Sequence, residues 1–249
     1  MITLDNVSKA YAGQAAVDSV SLHIESNTTT ALIGPSGSGK STLLRMINGL
    51  VEPDVGTVTI RGVTLSQDNL LQQRQETGYV IQEGGLFPHL TAHDNVALMP
   101  RYLGWPEPRL QQKLDELTEL VQIEADELSR YPQQLSGGQC QRISLMRALI
   151  LEPTILLLDE PLGALDPIIR YELQQQLSAI FKKLGKTVVI VTHDMSEAAY
   201  FAHNIVLLRE GQLVQQGSIS DLIEHPGNEF VNEFIHAQRR PLQDFPTLQ

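Results

Sequence analysis

The chain has 249 residues, of which 42% are hydrophobic and 19% charged, and its formal net charge is −11. This composition is ordinary for a globular protein in solution, whereas the negative charge argues against nucleic-acid binding, which needs a concentrated basic surface. A single cysteine, no apolar run near the ~20 residues of a membrane-spanning helix, and an N-terminus unlike a signal peptide together predict a soluble protein of the reducing cytoplasm.

The N-terminal part of the chain predicts β-strands. Short segments rich in β-branched residues and bounded by turn residues lie at 2–7, 19–24, 28–34, 56–61 and 77–81. A glycine-rich turn at 34–39 follows the third of them and opens into STLLRMINGL, whose apolar residues recur at helical spacing. A strand that turns through glycines into a helix is the context in which phosphate-binding loops occur.

The segment 84–152 differs, because prolines separate stretches with helical periodicity such as RLQQKLDELTELVQI. After it, TILLLDEP is almost continuously apolar, as in a strand buried on both faces. The remaining predicted elements are a helix over 168–184, a strand over 187–193, a short helix and a hairpin over 205–217. We therefore predict an α/β fold in which a helical subdomain, 84–152, interrupts a core made of 1–83 and 153–236, with a loosely ordered tail at 237–249.

The glycine-rich turn fits the phosphate-loop pattern G-x-x-x-x-G-K-[ST]. Its glycines let backbone amides point at phosphate oxygens, and the following helix adds the positive end of its dipole. Lys40 is expected to reach the β- and γ-phosphates, and the Ser41 hydroxyl to coordinate Mg²⁺. The predicted loop comprises Gly34, Pro35, Ser36, Gly37, Ser38, Gly39, Lys40, Ser41 and Thr42.

Two carboxylates end the apolar segment ILLL at 155–158. Because sites in this fold class lie at the carboxyl ends of parallel strands, Asp159 and Glu160 are expected beside the phosphate loop. Asp159 is suited to hold Mg²⁺ through its water shell, and Glu160 to polarise the attacking water. The alternative, that two acidic residues merely begin a surface loop, does not explain the four apolar residues before them.

At 135–139 the sequence is LSGGQ, followed by CQRISLMRALILEP. A serine and two glycines before a helix are by themselves an ordinary N-cap. Together with the phosphate loop, Gln82, ILLLDEP, the loop at 163–166 and His193, however, LSGGQ forms an ordered set of motifs. On these motifs the sequence resembles the nucleotide-binding subunits of ABC transporters along essentially its whole length.

The resemblance implies one ABC ATPase domain that hydrolyses ATP with Mg²⁺: a RecA-like phosphate-loop core with an antiparallel β subdomain, and a helical subdomain that carries LSGGQ. In this family two copies form a head-to-tail dimer, and each ATP lies between the phosphate loop of one copy and the LSGGQ signature of the other. A second anion-binding helix N-terminus in the same chain agrees with that arrangement. The signature residues expected to contact nucleotide are Ser136, Gly137, Gly138 and Gln139.

Further roles come only from the resemblance. Tyr11 matches the aromatic residue that stacks on adenine, and Gln82 matches the residue that touches Mg²⁺ and the attacking water. His193 matches the switch histidine that contacts the γ-phosphate, and Asp166 is assigned to the nucleotide-binding set. The choice of ATP over GTP is also a family inference, since aromatic stacking tolerates any base.

Two classes of ABC protein remain open: a transporter motor, and a non-transport ATPase of DNA repair or the ribosome. The chain has one cassette with a short insert, and GLFPHLTAHDNVALMPRYL at 85–103 resembles the stretch on which transporter subunits dock the coupling helix of their membrane partner. We therefore expect a subunit of an importer, held on the inner face of the cell membrane by permease subunits and served by an extracytoplasmic solute-binding protein.

The segments GGLFPHLT and GALDPIIR resemble the importer branch that takes up glycine betaine, choline and carnitine. Importers of methionine, of other amino acids or of another small solute remain alternatives. In the family the transported solute does not contact this subunit, so no residue of the chain is expected to recognise it.

Overall fold

The computed structural model describes residues 1–82, 84–163 and 165–238. Within these ranges the chain forms ten strands and nine α-helices. The strands are β1 (Ile2–Tyr11), β2 (Gln14–Ile24), β3 (Thr29–Ile33), β4 (Val55–Ile60), β5 (Val63–Thr64), β6 (Thr77–Val80), β7 (Ile155–Asp159), β8 (Thr187–Val191), β9 (Asn204–Arg209) and β10 (Gln212–Gly217). The helices are α1 (Lys40–Ile47), α2 (Leu70–Gln75), α3 (Ala92–Tyr102), α4 (Glu107–Val121), α5 (Gly137–Leu149), α6 (Pro167–Leu184), α7 (Met195–Phe201), α8 (Ile219–Glu224) and α9 (Glu229–Gln238).

The described strands form two sheets. The smaller is antiparallel and has the order β2-β1-β4-β5. The larger has the order β10-β9-β3-β8-β7-β6, in which all neighbours are parallel except the β9–β10 hairpin. The α/β fold class predicted from the sequence is thereby confirmed.

The central strands of the larger sheet are covered on both faces. Every residue of β3, β7 and β8 is buried, which explains why their sequences are mostly apolar and do not alternate between apolar and polar residues. One face packs against the smaller sheet and α1, and the other against helices that include α3 to α7. Because the three strands are parallel, the residues that follow them meet at one edge of the sheet.

The described part of the segment 84–152 contains α3, α4, α5 and two short 3-10 turns, and no strand lies in it. Helix α5 packs against α3, α4 and β6, which joins this segment to the larger sheet. The predicted helical character is therefore present, while the predicted subdomain boundaries stay predictions. Over the described ranges, no helix combines the length and the apolar character needed to cross a bilayer.

Some element boundaries differ from the sequence-based expectation. Strand β2 begins at Gln14, not at 19, because β1 and β2 form a hairpin whose turn, Ala12–Gly13, has positive φ at both residues, as a type I′ turn requires. Strand β8 ends at Val191 instead of residue 193, because the Thr192 hydroxyl accepts from the N–H of Asp194, the residue that caps α7, and so turns the chain toward that helix.

The C-terminal part of the chain contains two helices, α8 and α9, that the sequence did not predict. Residues 237 and 238, expected to belong to a loose tail, form the end of α9, whose apolar residues Val231 and Ile235 are buried in the core. The rest of that predicted tail, 239–249, lies outside the described residues, as do Glu83 at the predicted subdomain junction and Ala164 in the loop 163–166.

Candidate nucleotide-binding site

The phosphate loop lies between β3 and α1. Gly34 has φ 145° and Gly39 has φ 95°, both in the region that favours glycine. A Cβ at Gly34 would collide with the carbonyl oxygen of Leu208 on β9, and one at Gly39 with the carbonyl oxygen of Ala16 on β2. The loop is therefore packed against the backbone of two neighbouring strands, and this packing fixes its shape.

The Lys40 side chain bends back onto the phosphate loop. Its Nζ donates to the carbonyl oxygens of Gly34 (2.9 Å) and Pro35 (2.8 Å) and to the Ser38 hydroxyl (3.3 Å). Burial lowers the pKa of Lys40, and the carboxylates of Glu160 and Asp159, at the end of β7, act in the opposite direction. The ammonium is thus held beside the loop with little exposure to water, where its charge is only weakly screened.

Ser41 and Asp159 form a hydrogen-bonded pair next to Lys40. Ser41 Oγ donates to Asp159 Oδ1 (2.8 Å), which joins the first turn of α1 to the end of β7. Asp159 is buried, and burial raises the pKa of its carboxyl against the opposing effects of the Ser41 hydrogen bond and of Arg45. Hydroxyl and carboxylate oxygens are ligands that Mg²⁺ prefers, so this pair suits a magnesium ion bound together with phosphates.

Glu160 has an unusual backbone conformation for a non-glycine residue, with φ 48°. Its N–H donates to the Val191 carbonyl (2.9 Å), and the Gly163 N–H donates to the Glu160 carbonyl (3.2 Å), so a tight turn holds this conformation. Glu160 Oε2 lies 3.4 Å from His193 Nδ1. Two groups that can exchange protons therefore lie side by side at the sheet edge.

A single cavity of about 550 Å³ brings most of the predicted site together. Gly34 and Pro35 lie at the base of the loop, where their carbonyl groups hold Lys40, and Asp159 is bonded to Ser41 behind the cavity wall. Ala16 also lines the cavity, although no sequence pattern pointed to it. The residues that line the cavity are Tyr11, Ala16, Ser36, Gly37, Ser38, Gly39, Lys40, Ser41, Thr42, Gln82, Glu160 and His193.

The cavity has room for a phosphate chain at the loop. Gly37 has φ 78°, and no atom lies within 4 Å of the position that its Cβ would take. Backbone amides, the N-terminus of α1 and Lys40 all direct positive charge toward that space. In residues 1–82, 84–163 and 165–238 there is no cluster of three or more His, Cys, Asp or Glu side chains placed to hold a metal ion.

The signature residues do not line this cavity. Ser136 caps α5: its hydroxyl accepts from the Gln139 N–H (3.2 Å), and Gln139 Oε1 accepts from the Ser136 N–H (2.7 Å). Gly137 and Gly138 form the first turn of α5, and a Cβ at Gly138 would lie 2.7 Å from the Ile169 Cγ2 on α6. The predicted contacts of these four residues with nucleotide stay predictions.

Asp166 also lies outside the cavity. Its Oδ1 accepts from the N–H groups of Ile168 and Ile169, both at 3.1 Å, so the side chain caps α6. The local sequence explains this structural role, since an aspartate before a proline at the first helical position is a typical helix start. A role of Asp166 toward nucleotide remains a prediction.

No motif in the sequence pointed to the residues that hold the turn after β8. Thr192 Oγ1 donates to Glu197 Oε2 (2.6 Å) and accepts from the Asp194 N–H (3.0 Å). The Asp194 carboxylate caps α7 and lies 3.7 Å from Arg170 Nη1. These contacts place the backbone on both sides of His193. One local signal existed, because an aspartate with a glutamate three residues later has the spacing of a capping box.

We expect Glu197→Gln to stabilise the nucleotide-free protein at neutral pH. Glu197 is buried, and burial raises the pKa of its carboxyl against the opposing hydrogen bond from Thr192. Because the folded-state pKa then lies above that of the unfolded chain, the folded state binds more protons between the two values, and stability falls as pH rises through that window. Glutamine keeps an oxygen that can accept from Thr192 and carries no charge.

Thermal unfolding from about pH 4 to about pH 8 measures this effect. The melting temperature of Glu197→Gln should exceed that of wild type by little near pH 4 and by more as pH rises. In a chain of this size, each kcal/mol of unfolding free energy shifts the melting temperature by about 2–4 °C. Glu233→Gln, on an exposed position of α9, is the control and should show no such trend. A melting temperature at or below wild type near pH 8 would contradict the cost assigned to burial.

Comparison with known proteins agrees with this site. The family model described as "ABC transporter" matches residues 17–163. The chain is 47% identical over 240 residues to the choline transport ATP-binding protein OpuBA of Bacillus subtilis, covering 96% of this chain and 63% of that protein. It is 44% identical over 235 residues to the glycine betaine uptake system ATP-binding protein YehX of Escherichia coli, covering 94% and 76%. The chain thus spans less than two thirds of the length of the first of these relatives.

A solved structure has the same fold. The dimeric post-hydrolysis state of the ATP-binding cassette MJ0796, bound to ADP and Pi, matches with a TM-score of 0.80 and 34% sequence identity. The match covers 88% of this chain and 99% of that one.

Proposed function

This chain belongs to the ABC transporter family, and we propose that it is the ATP-binding and ATP-hydrolysing subunit of a membrane importer. The observation that carries the proposal is the one cavity shared by the phosphate loop, Glu160, His193, Gln82 and Tyr11. These residues come from distant parts of the sequence, and their meeting in one cavity matches the groups that nucleotide binding and phosphoryl transfer require.

Nucleotide binding follows from the charges and the space at the loop. Lys40 gains phosphate oxygens as acceptors in place of the carbonyl groups that hold it now, while loop amides bind the same phosphates. Tyr11, half exposed at the cavity, offers a ring face on which adenine can stack. Ser41, Asp159 and Gln82 are the residues that would hold Mg²⁺, which neutralises phosphate charge when it is bound with the nucleotide.

Glu160 is the proposed general base. It takes a proton from the attacking water, whose oxygen bonds to the γ-phosphorus as the bond from that phosphorus to the leaving ADP oxygen breaks. His193, 3.4 Å from the Glu160 carboxylate, is placed to donate a hydrogen bond to the γ-phosphate oxygens from the same side. The tight turn at Glu160 holds the base before the nucleotide arrives, so little reorganisation is needed in the reaction.

The site is proposed to be completed by a second copy of the chain. Ser136 and the start of α5 form an anion-binding helix N-terminus that lies outside the cavity, so they are available to a γ-phosphate held by another copy. The dimeric state of the MJ0796 cassette supports this arrangement. Two phosphate loops and two signatures would then enclose two ATP molecules in a head-to-tail dimer.

The segment 85–103 is the proposed contact with the permease. Within it large apolar side chains are exposed to solvent, although α3 is otherwise packed on the core: Phe87, Leu98, Tyr102 and Leu103. An exposed apolar surface of this kind can accept a short partner helix. Docking there would hold the protein on the cytoplasmic face of the membrane. Closure of the dimer around ATP would then move the permease subunits, which receive solute from a solute-binding protein outside the membrane.

The proposed solutes are quaternary amines such as glycine betaine or choline. The names of the two relatives, and the resemblance of GGLFPHLT and GALDPIIR, support this class. A trimethylammonium group offers no hydrogen-bond donor, so its recognition depends on cation–π attraction and apolar contact, which the solute-binding protein would provide.

The test is ATP hydrolysis by the complex of this chain with its permease in lipid vesicles. Glycine betaine, choline, carnitine, methionine and histidine are added one at a time with the native solute-binding protein, and a binding protein without solute is the control. Stimulation by at least one of the quaternary amines, and by neither amino acid, is expected. Stimulation by methionine or histidine alone would overturn the solute class while leaving the ATPase proposal intact.

A further inference from the structure

Helix α9 contacts the turn that carries His193. Gln238 Nε2 donates to the His193 carbonyl oxygen (2.7 Å), and Gln238 Oε1 accepts from the Met195 N–H (2.8 Å). One side-chain amide thus pairs with the backbone on both sides of Asp194, in the way that a neighbouring strand would. The two bonds join positions 45 and 43 residues apart in the sequence.

Helix α9 is a firm support for this contact. Val231 and Ile235 are buried in the same apolar cluster as the helices on that face of the larger sheet. The Arg209 guanidinium, at the end of β9, lies 4.4 Å from the Phe230 ring centroid. The Asn228 side chain accepts from the Val231 N–H (3.1 Å) at the start of the helix.

The His193 ring itself has little packing to hold it. Its side chain is 59% exposed, and its ring nitrogen Nδ1 faces the Glu160 carboxylate. The ring position therefore depends on the backbone of the turn, which is held by hydrogen bonds of Thr192 and Asp194 ahead of α7 and of Gln238 on α9.

We propose that Gln238 is a positioning residue for His193, so that α9 acts as a brace on the catalytic turn. This inference rests on the proposed ATPase function. Displacements near 1 Å at a reacting group can cost ~10²-fold in rate, so loss of one brace among several should lower kcat about tenfold. The KM for MgATP should change little, since Gln238 is not among the residues that line the cavity.

The contact can be tested without nucleotide. In Gln238→Ala, the Met195 amide should exchange with solvent about fivefold faster by NMR, as expected for the loss of one hydrogen bond. The Ser196 amide, which the Asp194 carboxylate accepts from, should be unchanged. The matched control is Asn232→Ala on the same helix, an exposed amide side chain with no hydrogen bond to the described residues. Unchanged exchange of the Met195 amide would overturn the inference.

The catalytic part is tested by single-turnover hydrolysis in two backgrounds. Gln238→Ala should slow the wild-type protein about tenfold and have no further effect in a His193→Ala protein, because its action passes through that ring. If Gln238→Ala acted only through a general loss of stability, it would lower the hydrolysis rate equally in both backgrounds, and that result would overturn the positioning role. If wild type hydrolyses ATP but Gln238→Ala and Asn232→Ala do so at equal rates, the positioning role of Gln238 is overturned and the proposed ATPase function is not. Absence of hydrolysis by wild type would overturn the proposed function and the inference together.

Discussion

Glu160→Gln should bind ATP as wild type does and hydrolyse it at least about 10²-fold more slowly. Glutamine preserves the size of the side chain and the turn held by the Glu160 backbone bonds to Val191 and Gly163, but it cannot take a proton from water. General-base catalysis is typically worth ~10²–10⁴-fold, which sets the expected loss. The substitution also removes a negative charge close to Lys40, and because phosphate is itself negative, this removal should not weaken phosphate binding.

The measurements are steady-state phosphate release and binding of a fluorescent ATP analogue. With turnover blocked, an ATP-bound dimer should accumulate and be visible by size-exclusion chromatography with light scattering. Glu224→Gln is the matched control, since it makes the same chemical change at an exposed position at the end of α8. Hydrolysis by Glu160→Gln within a few fold of wild type would show that another group is the base.

Lys40→Ala and Ser136→Arg should both stop hydrolysis, but for different reasons. Lys40 lies in the cavity, and loss of its charge-assisted bonds to phosphate should weaken nucleotide binding by the monomer roughly 10- to 100-fold. Ser136 lies outside the cavity, so Ser136→Arg should leave monomer binding nearly unchanged and block ATP-driven dimerisation.

The serine substitution also removes a helix cap, typically worth about 1 kcal/mol, and a control must separate that loss from the loss of the dimer. Ser218→Arg is suited to this purpose, because Ser218 caps α8 with the same type of capping box. Ser218→Arg should lose similar stability and retain dimerisation. Equal loss of monomer affinity in Lys40→Ala and Ser136→Arg would contradict the arrangement in which each copy completes the site of the other.

The parts of the site that the sequence predicted are those whose chemistry is local. The phosphate loop needs glycines, a lysine and a hydroxyl within nine positions, so its strand, turn and helix could be inferred together, as could the two carboxylates after a buried strand. The resemblance to a family added Gln82, His193 and Tyr11, and these residues do line the same cavity. Their catalytic and binding roles remain predictions.

What the sequence did not predict depends on contacts between distant segments. Ala16 lines the cavity because the β1–β2 hairpin brings it against Gly39, and nothing in the neighbourhood of an alanine indicates that position. Gln238 reaches His193 only after α9 packs on the core, across 45 positions. Prolines interrupt the sequence that follows Gln238, at 241 and 246, so its context favoured a loose tail over a structural contact.

The glycine codon at position 34 should tolerate no missense change, because any Cβ there would collide with the Leu208 carbonyl. Every missense change that one base substitution can make in a glycine codon introduces a Cβ, and the Leu208 carbonyl belongs to the backbone of β9, so it cannot rotate away as a side chain could. Gly104 also has positive φ (71°), but no atom lies within 4 Å of the position that its Cβ would take. One base change in its codon can introduce an acidic residue, and the only cost there is the modest strain of the backbone conformation. In a library of random point mutants selected for activity, the Gly34 codon should therefore vary only at its silent third base, whereas the Gly104 codon should also return acidic variants.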